Sequence, residues 1–282
     1  MSMKEPPRIS PAMTSAPAMI KTKKLTKSNI VIRTTMTVLA LLTIYGFFTF
    51  NNQNLKFWPS LMATFANFKT VFIQPHFNHF TFSQAVEGVT VTLALGLLTT
   101  IVGAVVAFFL SLLAAENLTN KTTSNIVKTI VAIIRAVPTV LWVLIFAIAA
   151  GLGSVAAVIG MSFHSISYLT KAYSESFEEI DEGAIEALKA TGAGWWQIVF
   201  QSIVPNALTS LISWTFMRFE VNFGVAVAMG AAAGAGGIGY EMFMAGAFYF
   251  DIREMGTITY FILAIAIVLE ILSTQIKARI RI

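Results

Sequence analysis

Residues 85–114 read AVEGVTVTLALGLLTTIVGAVVAFFLSLLA, an apolar run longer than the about 20 residues that a helix needs to cross roughly 30 Å of hydrocarbon. Hydrocarbon leaves backbone N–H and C=O groups nothing to bond but one another, so the run reads as helix. Outward from it, similar apolar blocks occupy 34–50, 129–150, 154–174, 201–219 and 256–275. The pattern predicts an all-α chain, a polytopic membrane helical bundle of about six transmembrane helices.

Composition agrees. Hydrophobic residues make up 56% of the 282 and charged residues only 12%, with a mean hydropathy of +0.74, far from the soluble globular average. The absence of Cys excludes disulfides, a thiol nucleophile and thiolate metal ligation. A net charge of +5 could suggest nucleic acid, but the basic residues flank the apolar blocks, where topology accounts for them; no nucleic acid partner is expected, and membrane lipid is.

Residues 1–33 form a polar arm rich in Pro, Ser, Thr and Lys without hydrophobic periodicity, expected to be disordered and cytoplasmic; 34–282 is then the transmembrane domain. A signal peptide is not expected, because its n-region would be unusually long and 45–51 offers no small-x-small cleavage site. Setting both termini in the cytoplasm puts the basic arm, Lys121, Lys128, Lys171, Lys189 and the basic C-terminus inside and leaves Lys56, Lys69 and Arg253 outside, as the positive-inside rule requires. In the first outer loop Leu61, Phe65, Phe68 and Phe72 recur at helical spacing, which reads as a short helix lying on the outer leaflet or as a docking surface for an extracellular protein. The stretch 225–235 is apolar but short and rich in Gly and Ala, and reads as a re-entrant or tightly packed piece.

The loop at about 175–200 is long, acidic at its start and set between two spans. Asp181, Glu182 and Glu186 suit the N-terminal part of a helix, and Gly192 suits the left-handed position that ends one. A second helix is expected from near Gly194, with Trp195 and Trp196 anchoring the hairpin at the inner interface. Glu186-Ala187-Leu188, then Gly192 after three residues, then Pro205, resembles the E-A-A-x3-G-x9-I-x-L-P motif of ABC importer permeases. The chain departs from that motif at Leu188, Ser202 and Val204. Arg135-Ala136-Val137-Pro138, Leu141-Trp142, Ile145-Phe146, His164, Arg218-Phe219-Glu220-Val221-Asn222 and Gly234-Ala235-Gly236-Gly237-Ile238-Gly239 resemble the phosphonate, phosphite and phosphate group of these permeases. The likeness covers the chain from about Val86 onward.

The resemblance implies a type I ABC importer permease fold in a bacterial plasma membrane, a homodimer, two ABC ATPase subunits on the cytoplasmic side and a substrate-binding protein outside. It implies a coupling helix over about 182–191, and an ATPase contact formed by Asp181, Glu182, Glu186, Ala187, Gly192 and Pro205. The chain would be a transport subunit and not an enzyme. It would bind no cofactor, ATP and Mg belonging to the partner.

Polar side chains inside spans are costly, so each has a specific reading. Arg135 either snorkels to the inner interface or lines the path. His164 either packs or binds a ligand, and with no second His in the spans no metal pair is expected. Arg218 and Asn222 are four apart on one helix face, while Glu220 points elsewhere. Arg218 either forms an ion pair or attracts an oxyanion across a two-fold axis. Gly234, Gly236 and Gly239 satisfy G-x-G-x-x-G but lack a βαβ setting; with Gly237 they read as gate or packing glycines. His76 and His79, at i and i+3 without further ligands nearby, make no expected metal site. No G-x-x-x-x-G-K-[ST] occurs. A secondary transporter would show inverted repeats and paired intramembrane carboxylates, and a membrane enzyme would show a nucleophile or metal cluster; neither stands out.

Overall fold

The computed structural model of the chain describes residues 27–49 and 56–280, and every element among them is helical. Met1 to Thr26 of the expected arm lie outside the described residues. The chain divides into two units, 1–60 and 61–282. In the first, α1 (Lys27–Thr49) begins inside the stretch expected to be arm. Thr43 and Thr49 return their hydroxyls to the carbonyls of Leu39 and Tyr45, which lets them sit in an apolar helix without an unsatisfied donor.

The second unit is built on α3 (Phe82–Ala114), opened by a capping box in which Thr81 and Gln84 satisfy each other's backbone N–H groups. Around it pack α4 (Lys121–Ala136), α5 (Thr139–Ala150), α6 (Ser154–Glu178), α7 (Glu182–Ala190), α8 (Trp195–Ile198), α9 (Val204–Ala233), α10 (Ile238–Phe243) and α11 (Ile252–Ile280). Gly88, Gly96 and Gly103, spaced eight and seven apart, share one face of α3. A Cβ at these positions would meet Ile238 N at 3.1 Å, Phe223 N at 3.2 Å and the Ser165 Cβ at 2.6 Å respectively. One glycine face therefore admits α10, α9 and α6 to near-backbone contact, the packing mode that replaces the hydrophobic drive inside a bilayer.

Among the described residues α1, α3 and α11 are each long and apolar enough to cross a membrane, and five crossings result if two bent helix pairs each count as one. With α6, which occupies the expected fourth block, every apolar block of the sequence has a helical counterpart. Pro138 cannot continue a helix, so a kink within 129–150 is expected from the sequence. The block is bent there, α4 and α5 meeting at 86°. Val137, preceding proline, is extended at φ −84 and ψ 124, and Pro138 has no N–H for the Ile134 carbonyl. The indole N–H of Trp142 donates to that carbonyl instead, at 3.1 Å. The stretch 225–235, expected as a re-entrant or tightly packed piece, is the closely packed end of α9: a Cβ at Gly230 would meet Gly236 O at 2.7 Å, and α9 runs to Ala233 before a turn at Gly234, Gly236 and Gly237, all at positive φ. Beyond that turn α10 is bent at 51° to α9 and leads into a π-helical turn over 244–248.

The helix expected around Leu61 to Phe72 is α2 (Phe57–Ile73). Its C-terminal part does more than lie on a surface, for Phe72 meets Tyr260 edge-on with centroids 6.3 Å apart and accepts the Tyr260 hydroxyl at its carbonyl. Gly256 faces the Val71 carbonyl so closely that no Cβ would fit.

Trp142→Phe keeps the aromatic contact with Phe163 but leaves the Ile134 carbonyl without a donor. The expected result is a loss of about 1–3 kcal/mol of stability, read as a lower unfolding midpoint of the detergent-solubilised protein with unchanged helical content.

Candidate functional site

At one end of the bundle the chain makes a helical hairpin. α7 is seated by Ile185, which is buried, and by Leu188, which packs on a cluster shared by α3, α6, α8 and α9. Asp181, Glu182, Glu186, Ala187 and Lys189 are exposed. The helix stops because Gly192 takes φ +82, while its N–H bonds Lys189 O and that of Ala193 bonds Leu188 O, satisfying carbonyls that a helix end leaves orphaned. The two tryptophans divide their roles: Trp195 turns inward and donates to Leu118 O at 2.9 Å, whereas Trp196 is exposed. α8 passes without a break into α9 through a π-helical turn over 199–203, just before Pro205, an exposed residue that has no N–H to offer. The carboxylate face of α7 is thus free while its apolar face is tied to the spans on both sides.

Deeper in the bundle α3, α6 and α9 converge on a buried polar cluster. The Asn222 amide donates to Thr100 Oγ1 at 2.8 Å and to Ser165 Oγ at 2.9 Å. Arg218, one turn away on the same face, donates from Nε to Ser165 Oγ at 3.1 Å and reaches His164 Nδ1 at 3.4 Å. Its guanidinium lies 5.4 Å from the centre of the Tyr168 ring. Arg218 is only 4% exposed, and each of these contacts is to a neutral group. Three of the expected path residues, His164 of α6 and Arg218 and Asn222 of α9, therefore share one neighbourhood. Arg135, half-buried, lies in the last turn of α4. Glu220 is half-buried and two residues from Arg218, off the Arg218–Asn222 face.

Residues 107–281 match the model of the binding-protein-dependent transport system inner membrane component family. The chain belongs to that family. It is similar to a phosphate-import permease protein of Mycolicibacterium smegmatis, at 31% identity over 67% of this chain and 35% of that protein. It is also similar to a phosphite transport system permease protein of Stutzerimonas stutzeri, at 27% identity over 66% of this chain and 67% of that protein. The chain thus spans about a third of the mycobacterial relative's length. A chain of the MetNI methionine ABC transporter in its inward-facing form superposes with a TM-score of 0.65 over 72% of this chain and 99% of its own, at 23% identity. The fold is that of a type I ABC importer permease, and the chain is an inner-membrane, multi-pass component.

Within this permease fold the run of 234–239 works as a turn and a packing point. Gly239 sits so close to the Val227 carbonyl that a side chain has no room, and the Ile238 N–H donates to Thr92 Oγ1 at 3.0 Å. Of the residues around Arg218, Ser165, Tyr168 and Thr100 were not singled out from the sequence; hydroxyls facing the middle of apolar blocks were the available signal.

The opposite end of the bundle corrects the reading of His76 and His79, which do have carboxylates beside them. His79, Asp251 and Glu254 bring their side-chain ligand atoms within 4.8 Å of one another. Glu254 Oε1 accepts the backbone N–H groups of Asn78, His79 and Phe80, and Oε2 pairs with His79 Nδ1 at 2.8 Å. Asp251 Oδ1 accepts the N–H groups of Arg253 and Glu254 that open α11, and Oδ2 meets His76 Nε2 at 2.9 Å. With its acceptors occupied, the group is a clasp between 76–80 and the start of α11. Partial burial pushes the Asp251 carboxyl up, but the Glu254 N–H, His76 and Asn78 outweigh it and hold the pKa at about 2. A pKa lowered from 3.8 contributes stability that is fully present above that value and is lost progressively as pH falls from there through about 2. Glu254→Leu would orphan three backbone donors. Faster hydrogen exchange at Asn78, His79 and Phe80, with a loss of about 1–3 kcal/mol, is the expected outcome.

Proposed function

We propose that this chain is the membrane-spanning permease of an ATP-driven importer that carries a phosphorus oxyanion, of the phosphonate, phosphite or phosphate class. The observation that supports the substrate class is the buried guanidinium of Arg218, held among the described residues by contacts with Ser165, His164 and Tyr168. A desolvated cation whose partners are neutral retains most of its attraction for an anion, and a planar fork suits a tetrahedral oxyanion. A homodimer would double the charge about its axis. The phosphate and phosphite transport names of similar proteins point the same way. The likeness to a methionine transporter supports a second reading, an amino-acid substrate.

In this proposal α7 and both termini face the cytoplasm of a bacterium, and the exposed face with Asp181, Glu182, Glu186 and Ala187 seats on an ABC ATPase that holds ATP and Mg. Gly192 and Pro205 set the shape of the hairpin and do not touch nucleotide. Closure of the ATPase dimer would move α7 as a rigid body. Its apolar ties to α3, α6 and α9 would pass that motion to the spans, and rocking of two permease copies would alternate access to Arg218. A substrate-binding protein would deliver the anion from outside. Arg135, His164 and Asn222 would line or shape the path, and the turn at 234–239 would act as a gate or packing point.

In proteoliposomes containing the permease with its co-purifying subunits, uptake of labelled phosphite or methylphosphonate, and not of methionine, is expected. Arg218→Lys keeps the charge but loses the fork, and should lower uptake about ten- to hundredfold while the complex still forms. Recovery of uptake by the pair Arg218→Glu with Glu220→Arg would show instead that mutual charge is what matters, and would end the path reading. Glu186→Arg alters only an exposed side chain of α7; ATP hydrolysis uncoupled from uptake, or loss of the ATPase during purification, is expected. Full coupling in that variant would remove α7 as the coupling element.

A further inference from the structure

At the α7 end, between α4 and α6, lies a cavity of about 250 Å³ lined in part by Lys128, Arg135, Thr170, Lys171, Glu175 and Glu178. Both carboxylates are already engaged. Glu178 Oε1 accepts Lys128 Nζ at 3.0 Å and the Glu116 N–H at 2.9 Å, and Glu175 pairs with Lys171 at 3.5 Å. Lys128 is further occupied by Glu116 at 2.8 Å. Arg135 has no hydrogen bond or ion pair among the described residues, so the lining holds one uncommitted cation. Thr170 adds a second, independent mark: its hydroxyl is buried, at 1% exposure of the residue, and has no hydrogen-bond partner. Ser162, Ser165 and Ser176 on the same helix return their hydroxyls to the carbonyl four residues back, so an unpartnered hydroxyl is not the habit of α6. A fork of donors and a free hydroxyl in one cavity match a tetrahedral anion rich in acceptor oxygens.

The cavity also lies along the same face of α6 as part of the Arg218 cluster. His164, Tyr168, Lys171, Glu175 and Glu178 follow at helical spacings of four, three, four and three along one face of α6. Tyr168 lies under Arg218, and Arg135 lines the cavity wall. We infer that this cavity is a second anion site, on the cytoplasmic side of the permease, which holds a phosphoryl oxyanion through Arg135 and Thr170. The assignment of side and of substrate class rests on the function proposed above. The same chemistry is offered by the free oxyanion and by a phospholipid headgroup of the inner leaflet.

The chain has no cysteine, so Glu175→Cys places a single thiol at the rim. The complex would be purified with its co-purifying subunits, and the rate of maleimide labelling measured in lipid-free maltoside detergent against inorganic phosphate, with chloride at matched ionic strength as control. Phosphate at about ten times its half-saturating concentration should slow labelling about tenfold. Arg135→Gln should abolish the protection, and Thr170→Val, which changes little but the hydroxyl, should shift it to higher phosphate. If protection instead needs nanodiscs of phosphatidylglycerol, and still depends on Arg135, the headgroup supplies the phosphoryl and the site stands. No protection in either medium, or protection that survives Arg135→Gln and Thr170→Val, overturns the inference and leaves a water-filled cavity. Phosphite uptake through the unaltered permease, measured alongside, separates the two claims. Uptake without protection removes only this site, and protection without uptake removes only the transport reading.

Discussion

The structure depends on how closely helices can approach α3. A bilayer gives apolar side chains no reason to prefer one another over lipid, so association rests on van der Waals contact and on interhelical hydrogen bonds. The glycines at 88, 96 and 103 supply the first by letting α10, α9 and α6 come to near-backbone distance along a single face. The second follows from the first. Only because α9 and α6 lie that close to α3 can Asn222 bond Thr100 and Ser165 at once. Arg218 is then carried into the bundle interior as a neighbour of that amide on the same face of α9.

Two breaks in regular helix set the polar groups where they are. At Pro138 the helix loses a donor and turns through 86°, so that α4 ends at Arg135 and Ala136 while α5 leaves in another direction. Trp142 satisfies the freed carbonyl and thereby makes the bend a fixed feature of the fold. Before Pro205 a π-helical turn joins α8 to α9 without interruption. α7 is thus joined by a four-residue turn over 191–194 to α8, which runs on into a span of 30 residues, and is tied to that span by a shared apolar cluster. A short helix anchored in this way can transmit displacement, because packed interfaces move as units and do not deform continuously.

At the far end the clasp made by His76, His79, Asp251 and Glu254 has a different logic. Glu254 is fully buried yet offers both oxygens to donors, the condition under which a buried carboxylate is tolerable. It fastens a non-helical segment, 74–81, to the start of α11, and α2 packs nearby through Phe72 and Tyr260.

Much of this was legible in the chain alone. Apolar blocks of the length of a bilayer, set apart by charged loops, dictate helices, because no other structure satisfies the backbone in hydrocarbon. Glu186, Gly192 and Pro205 in register located the hairpin, since a helix terminator and a residue without an N–H act locally on their own neighbours. The face shared by Arg218 and Asn222 followed from helical period. What sequence could not decide was which faces meet. His76 and Asp251 are 175 residues apart, and their pairing depends on how α11 returns beside α3. Thr100 and Ser165 read as ordinary small residues of apolar runs until the glycine face of α3 draws α6 and α9 around them. The 86° turn at Pro138 and the passage of α9 through 225–233 were likewise settled by packing: a proline permits a bend and a glycine-rich run permits a turn, but the neighbours they meet determine the angle and the place.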